Sequence, residues 1–367
     1  MDTILKSNEI YLHEAANLVA TCGTTNTFIF EGEPGIGKSS MRDPILSKLR
    51  WAPERFIYID AALLDVGDLQ MPANRGEYIE FLPNKMFKHD EPVVVFVDEI
   101  GKASRPVKNA LLTLLLERRV GSTYLPEGSM VFGATNMATD GVGDVFEAHG
   151  KNRVSFMRIR KPKAGFKADG SVDPHSWAEW AMEHDVNPMV LAWVRQFPHC
   201  LDQSYVDFAP DEKIDNPYVF NPRDMKQAAF VSGRSLYHAS RILDQRDRLS
   251  EVAIRAALVG TIGEQAALDM QAFISLADEL PPLETVLAKP DTTPVPTNPA
   301  ACVIQALNAV RRVDREHVSA WITYLRRMPA EIQFMFVQQA MRAKDRVSFY
   351  TKNTTFTDWA RENSWAI

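Results

Sequence analysis

The chain has 367 residues, 46% apolar and 24% charged, an ordinary globular composition with length enough for two or three cores. No apolar run reaches the ~18 residues that a membrane span needs, and Met1-Asp2-Thr3-Ile4-Leu5-Lys6 has neither the basic region nor the apolar core of a secretion signal, so a cytoplasmic protein is expected. The net charge of −6 argues against nonspecific nucleic-acid binding by the whole chain. Cys22, Cys200 and Cys302 are too scattered for a metal site or a disulfide framework.

Strand-type apolar runs recur at Thr27–Phe30, Phe56–Ile59, Val93–Val97, Met130–Gly133 and Val154–Ile159. Helical patterns lie between them, at Ser40–Leu49 and at Val107–Arg118, where Val107, Ala110, Leu111, Leu114 and Leu115 share one face. Strands alternating with helices predict a parallel sheet covered on both faces. From about Pro174 helical patterns dominate: His175–His184, Pro188–Arg195, Pro222–Val231, Ser250–Leu258 and Gln265–Glu279. The proline-dense stretch 281–300 predicts an extended linker, and a helical segment over roughly Ala301–Lys344 follows. The expected division is 1–160 as an α/β nucleotide-binding domain, 161–280 as a helical lid, 281–300 as linker and 301–367 as a C-terminal helical segment.

Directly behind the first apolar run stands Gly32-Glu33-Pro34-Gly35-Ile36-Gly37-Lys38-Ser39, a fit to G-x-x-x-x-G-K-[ST] between a strand and a helical pattern. Glycines let successive N–H groups turn inward on phosphate oxygens, and the helix N-terminus adds partial positive charge. Lys38 is placed to reach the β- and γ-phosphates and Ser39 to ligate Mg²⁺. Gly32, Pro34, Gly35, Ile36, Gly37, Lys38, Ser39 and Ser40 are the candidate nucleotide-binding residues. The apolar strand ending in Asp98-Glu99 supplies a second piece. Parallel strands place functional groups at their carboxyl ends, so Asp98 is a candidate for holding Mg²⁺ and Glu99 for polarising the attacking water. A third strand ends at Asn136, a candidate for orienting that water.

Together these residues resemble the AAA+ ATPases, and more narrowly the MoxR-type branch. The stretch 65–87 is similar to the branch's inserted β-hairpin and 109–136 to its helix–strand passage; Gln70 departs from a glycine found there in some relatives. The resemblance implies a P-loop AAA+ domain with a helical lid, ATP with Mg²⁺ as ligands, and a ring, usually hexameric. It also implies an arginine reaching into the neighbouring subunit's site, matched by Arg153 with Arg158 as the next candidate. A second arginine on the nucleotide, at the start of a lid helix, is matched by Arg223. The implied partner is a protein, such as one with a von Willebrand factor A-type domain, remodelled or activated by hydrolysis.

Two other readings stay open at this stage. A nucleic-acid motor or loader predicts stimulation by DNA or RNA, and a nucleotide-gated scaffold predicts binding without turnover. The histidines 149, 175, 184, 199 and 238 share no ligand spacing. Trp177 and Trp180 read as packing residues, the basic pairs Arg311-Arg312 and Arg326-Arg327 as solvated helix faces, and Asp140–Asp144 lacks the later glutamate of a calcium loop.

Overall fold

The computed structural model describes residues 8–136, 153–167, 169–209, 211–342 and 346–363, and the chain divides into two compact units, Met1–Lys161 and Pro162–Ile367. In the first unit the described strands that form the main sheet are β1 (Glu9–Ile10), β2 (Phe28–Gly32), β3 (Phe56–Asp60), β6 (Val94–Asp98), β9 (Met130–Asn136) and β10 (Ser155–Ile159). All are parallel, in the order β1-β10-β2-β9-β6-β3. This is the expected α/β class, a parallel sheet with flanking helices, followed in the chain by a helical unit.

The sheet is apolar on both faces because helices cover both. With a side-chain period of two, Ile29, Val95, Val97 and Val131 turn to one side. Phe30, Val94, Phe96 and Phe132 turn to the other, where the Phe96 and Phe132 rings stack with centroids 4.7 Å apart. On the first side α4 (Arg105–Glu117) buries Val107, Leu111, Leu114 and Leu115; on the second lie α1 (Leu12–Cys22) and α2 (Arg42–Leu49). At the C-cap of α4, Arg118 donates to Thr27 Oγ1 at 2.7 Å and to the Asn26 carbonyl at 3.2 Å. That guanidinium ties the end of α4 to the segment entering β2.

A four-residue helix, α3 (Val66–Leu69), leads into an antiparallel hairpin, β4 (Gln70–Asn74) and β5 (Ile79–Pro83), as the resemblance implies. A shorter hairpin, β7 (Arg119–Val120) and β8 (Thr123–Tyr124), follows α4.

The second unit contains α5 (Trp177–Glu183), α6 (Pro188–Gln196), α7 (His199–Asp202), α8 (Gly233–Leu243), α9 (Glu251–Ile262), α10 (Glu264–Asp278), α11 (Leu283–Ala288), α12 (Pro299–Arg312), α13 (Val318–Leu325), α14 (Ala330–Arg342), α15 (Val347–Thr351) and α16 (Thr354–Glu362). Trp193, Trp321 and Trp359 are fully buried in one continuous core that also takes in Trp177. Trp180 packs against this core and stacks on His184 at 4.3 Å, so both tryptophans are packing residues. Cys200 and Cys302 are buried thiols and Cys22 is half-buried.

Three expectations need correcting. Residues 222–231 form turns, not a helix; Asn221 and Asp224 side chains cap the local N–H groups of Arg223 and Lys226, the local bonding by which Asx residues compete with helix. The stretch 281–300 is not an extended linker. It carries α11, whose Val286 is buried, and the carbonyls that proline leaves without a helical ladder are taken by side chains. Arg327 donates to Pro290 O at 2.6 Å and Thr293 O at 2.8 Å, and the Tyr324 hydroxyl to Pro294 O at 2.8 Å. The helical pattern from Ala301 breaks into α12, α13 and α14 at the Asp314 and Pro329 turns, and Lys344 lies outside the described residues, as do His149 and Asp140–Asp144.

The basic pairs of the last segment are engaged internally. Arg311 meets Asp244 at 3.5 Å, Arg312 meets Glu284 at 2.9 Å and Arg326 meets Glu362 at 2.8 Å. Among the described residues no helix is long and apolar enough to cross a membrane.

Candidate functional site

Strand order assembles the site. The chain runs from β2 to the sheet edge at β3, returns through β6 and then inserts β9 between β6 and β2. The register pairs Gly32 with Asn136, and Val97 with Gly133. Three strand ends therefore meet at the carboxyl edge of a parallel sheet, where ligands of such folds bind, and Asn136 stands between the glycine loop and the acidic pair.

The loop has the conformation its glycines allow. Gly35 and Gly37 lie at φ of 77° and 95°, a region that L side chains rarely enter. A short 3₁₀ turn, Lys38–Met41, joins the loop to α2, and the Ser40 hydroxyl donates to the Gly37 carbonyl at 2.7 Å. Ser39 and Ser40 are exposed. Lys38 is buried and folds back, donating to Gly32 O at 3.0 Å, Glu33 O at 3.1 Å and Asn136 Oδ1 at 2.9 Å. Asn136 passes the contact on, its Nδ2 donating to both carboxylate oxygens of Glu99 at 3.0 Å. Lys102, one 3₁₀ turn beyond, pairs with Glu99 at 3.0 Å.

Glu99 itself sits at φ 53°, a left-handed backbone uncommon for a side-chain-bearing residue and frequent at functional positions. Its N–H donates to Asp98 Oδ1 at 2.9 Å. Behind it Ile100 is fully buried, and its methyl group approaches Gly133 so closely that a Cβ there would fall 2.2 Å from it. A glycine in β9 thus makes room for the turn that carries Glu99.

Desolvation by burial raises the pKa of Asp98, against the opposing hydrogen bond from Glu99 N–H and the positive charge of Lys38. The Tyr58 hydroxyl donates to Asp98 Oδ2 at 3.3 Å. Partial burial, helped by Asp98 and Asp60, pushes the Tyr58 pKa up to about 12, so it stays a donor at neutral pH. A raised carboxylate pKa favours the folded state below the unfolded value, and that advantage is lost as pH rises through the folded value. Asp98→Asn is therefore expected to raise the denaturant midpoint at pH 7, with the gain fading as pH falls below the ordinary carboxylate range. Parallel urea titrations at pH 7 and pH 3.5 check this.

The donor set suits a nucleotide with a hard cation. The glycine loop offers backbone N–H groups beside a buried ammonium, while an exposed serine hydroxyl and a half-buried carboxylate held at a desolvation cost are oxygen ligands of the kind Mg²⁺ takes.

No family model matches the chain, and no curated protein matches it. Among solved structures it is similar to the Thermotoga maritima RuvB Holliday junction branch migration motor, with 14% identity, 87% of this chain and 89% of that one covered, and a TM-score of 0.35. It is similar to Hsp104 in its closed state with ATPγS and FITC casein, at 19% identity, 47% and 35% coverage and a TM-score of 0.35. It is also similar to NtrX from Brucella abortus in complex with ADP, at 13% identity, 97% and 67% coverage and a TM-score of 0.34. The chain thus spans about a third of the Hsp104 chain it matches. Likeness at this level carries no weight beside the sheet order and the loop geometry.

The structure brings Lys38, Asn136, Asp98 and Glu99 together, and it treats the arginines differently. Arg153 is exposed in the turn before β10, whereas Arg158 pairs with the buried Glu9 at 3.6 Å. Arg223 stands on no helix and donates to Glu212 O at 2.6 Å and Ala209 O at 3.1 Å. The next helix, α8, begins with Ser232 as N-cap and has the exposed Arg234 in its first turn. Sequence reasoning missed Tyr58, Asp60 and Lys102. Lys102 was open to discovery from its i,i+3 spacing to Glu99, but Asp60 meets Asp98 only through the β3–β6 register.

Proposed function

We propose that the chain is a Mg²⁺-dependent ATPase of the AAA+ class and MoxR-type branch, working as a hexameric ring that remodels or activates a protein partner. The observation that carries the reading is the contact series Lys38–Asn136–Glu99 at three adjacent strand ends. A buried ammonium, an amide and a carboxylate in sequence are what phosphoanhydride hydrolysis requires of a protein: charge offset, alignment and a proton acceptor. Residues Gly32, Pro34, Gly35, Ile36, Gly37, Lys38, Ser39 and Ser40 hold the nucleotide, and Ser39 and Asp98 hold Mg²⁺, which when bound supplies charge neutralisation at the phosphates. Glu99 accepts the proton of the attacking water. Asn136 fixes the carboxylate through both oxygens.

Arg153 serves the neighbouring subunit's site; its exposure supports this role, and the ion pair of Arg158 disfavours the alternative. The second nucleotide-contacting arginine is Arg223 or, on the helix-start criterion, Arg234. Residues 161–280 act as the lid and 301–367 as a C-terminal segment. The hairpin β4–β5 supports a protein partner. It leaves Tyr78 and Ile79 near its tip at 63% and 64% exposure and Met71 near its base at 60%, more exposed apolar surface along one hairpin than an isolated fold needs. A partner with a von Willebrand factor A-type domain is the narrower form of the proposal, and pull-downs returning only unrelated proteins would remove it.

The deciding experiment is steady-state ATPase rate against protein concentration, with and without duplex DNA, for wild type and Arg153→Ala. A per-subunit rate that rises with concentration and falls by roughly 10²-fold or more in the variant establishes a shared site. A flat rate indifferent to the substitution removes both the ring and the arginine. Stimulation by DNA would replace the protein partner with nucleic acid.

A further inference from the structure

Lys102 ends the 3₁₀ turn Ile100–Lys102 that follows Glu99, and its ammonium stands 3.0 Å from Glu99 Oε2. That oxygen also accepts from Asn136 Nδ2 at 3.0 Å, whereas Oε1 accepts from Asn136 Nδ2 alone among the described residues. A carboxylate offers about four acceptor sites over its two oxygens. Both sites on Oε2 are therefore taken, and Oε1 keeps one for the proton of a water.

The two donors belong to one frame. Asn136 ends β9, and its Oδ1 accepts from Lys38 at 2.9 Å, which leaves Nδ2 as the side of the amide turned to Glu99. The turn that carries Lys102 is tied to the same strand, because Gly101 N–H donates to Oγ1 of the buried Thr135 at 3.3 Å. Within the turn Lys102 N–H donates to the Glu99 carbonyl at 2.9 Å. A glutamate side chain has several torsions to fix, and a carboxylate held by one amide nitrogen can still swing about that contact. A second donor on one oxygen removes the swing. The Lys102 side chain is 47% exposed, and an ion pair at that exposure adds little to stability, so its weight falls on the geometry of Glu99.

We propose that Lys102 is a positioning residue for the general base: with Asn136 it pins the Glu99 carboxylate so that Oε1 receives the proton of the attacking water. This role rests on the ATPase function proposed above, in which Glu99 is that base. Lys102 acts through Glu99 and not on the nucleotide.

Steady-state ATP turnover of the full chain is measured for wild type, Lys102→Met, Lys102→Arg, Glu99→Gln and the double variant Lys102→Met/Glu99→Gln, with thermal melts to report folding. Lys102→Met is expected to lower kcat by roughly 10–10²-fold, the weight of a misplaced reacting group, with KM within about threefold. Lys102→Arg keeps a cationic donor for the carboxylate and is expected to recover most of the loss. In the Glu99→Gln background the Lys102 substitution is expected to change nothing, since no base is left to position. Nucleotide-free crystal structures of wild type and Lys102→Met give a reading that needs no turnover: one Glu99 rotamer in the first, and a carboxylate spread over several or drawn off Asn136 in the second. An unchanged or raised kcat, a rise in KM alone, an equal loss in the Glu99→Gln background, or a Glu99 carboxylate unmoved in the variant would each overturn the proposal while leaving the ATPase standing. Wild type without turnover would overturn the ATPase function and the role of Lys102 with it.

Discussion

Glu99→Gln is expected to lower ATP turnover by roughly 10²–10⁴-fold, the usual weight of a positioned general base, while nucleotide affinity stays within about threefold. The amide is isosteric and still accepts from Asn136 Nδ2, so the loss falls on proton acceptance and not on architecture. Single-turnover phosphate release set beside nucleotide titration makes the distinction. Unchanged turnover would revive the nucleotide-gated scaffold. The backbone adds a second arm to the prediction. Because Glu99 occupies the left-handed region at φ 53°, Glu99→Gly is expected to lose turnover as fully, while the relief of that backbone, about 1 kcal/mol, is set against about 1–3 kcal/mol for leaving the buried Asn136 Nδ2 without its acceptor. A denaturant midpoint that rises as activity vanishes would show strain retained for function.

Lys38→Met should weaken nucleotide binding by roughly 10–10²-fold, the weight of a hydrogen bond to a charged group, and turnover with it. It should also cost about 1–3 kcal/mol of stability with no nucleotide present. In the folded chain the ammonium is buried and serves Gly32 O, Glu33 O and Asn136 Oδ1, and removal leaves those acceptors unsatisfied. Urea unfolding of the nucleotide-free chain reads the effect. A variant more stable than wild type would mean that desolvating the lysine outweighs its hydrogen bonds.

Most of the sheet was legible in advance, and for a local reason. A strand buried on both faces has to be a continuous apolar run, and the five runs that stand out in the sequence all become strands. The phosphate loop was legible too, because its glycines and lysine are contiguous and their chemistry depends on backbone local to the loop. The helix expected at 222–231 failed because periodicity cannot weigh Asn221 and Asp224 capping their own neighbours against a helical ladder. The proline-dense stretch 281–300 failed for the opposite reason. Its composition forbids regular structure over most of its length, but composition says nothing of Arg327 and Tyr324, distant in sequence, that take up its carbonyls.

The sequence by itself determined the α/β class, through apolar runs that are each legible locally, and the phosphate loop and the acidic pair Asp98-Glu99 at the end of β6, each encoded within a dozen consecutive positions. Only the tertiary structure decided that β9 lies between β2 and β6. That order puts Asn136 within reach of both Lys38 and Glu99, residues 98 and 37 positions away. It likewise decided that Arg158 is held by Glu9 and that Asp60 faces Asp98. Strand order and helix packing depend on which apolar faces bury one another across the whole chain, and no local window contains that competition.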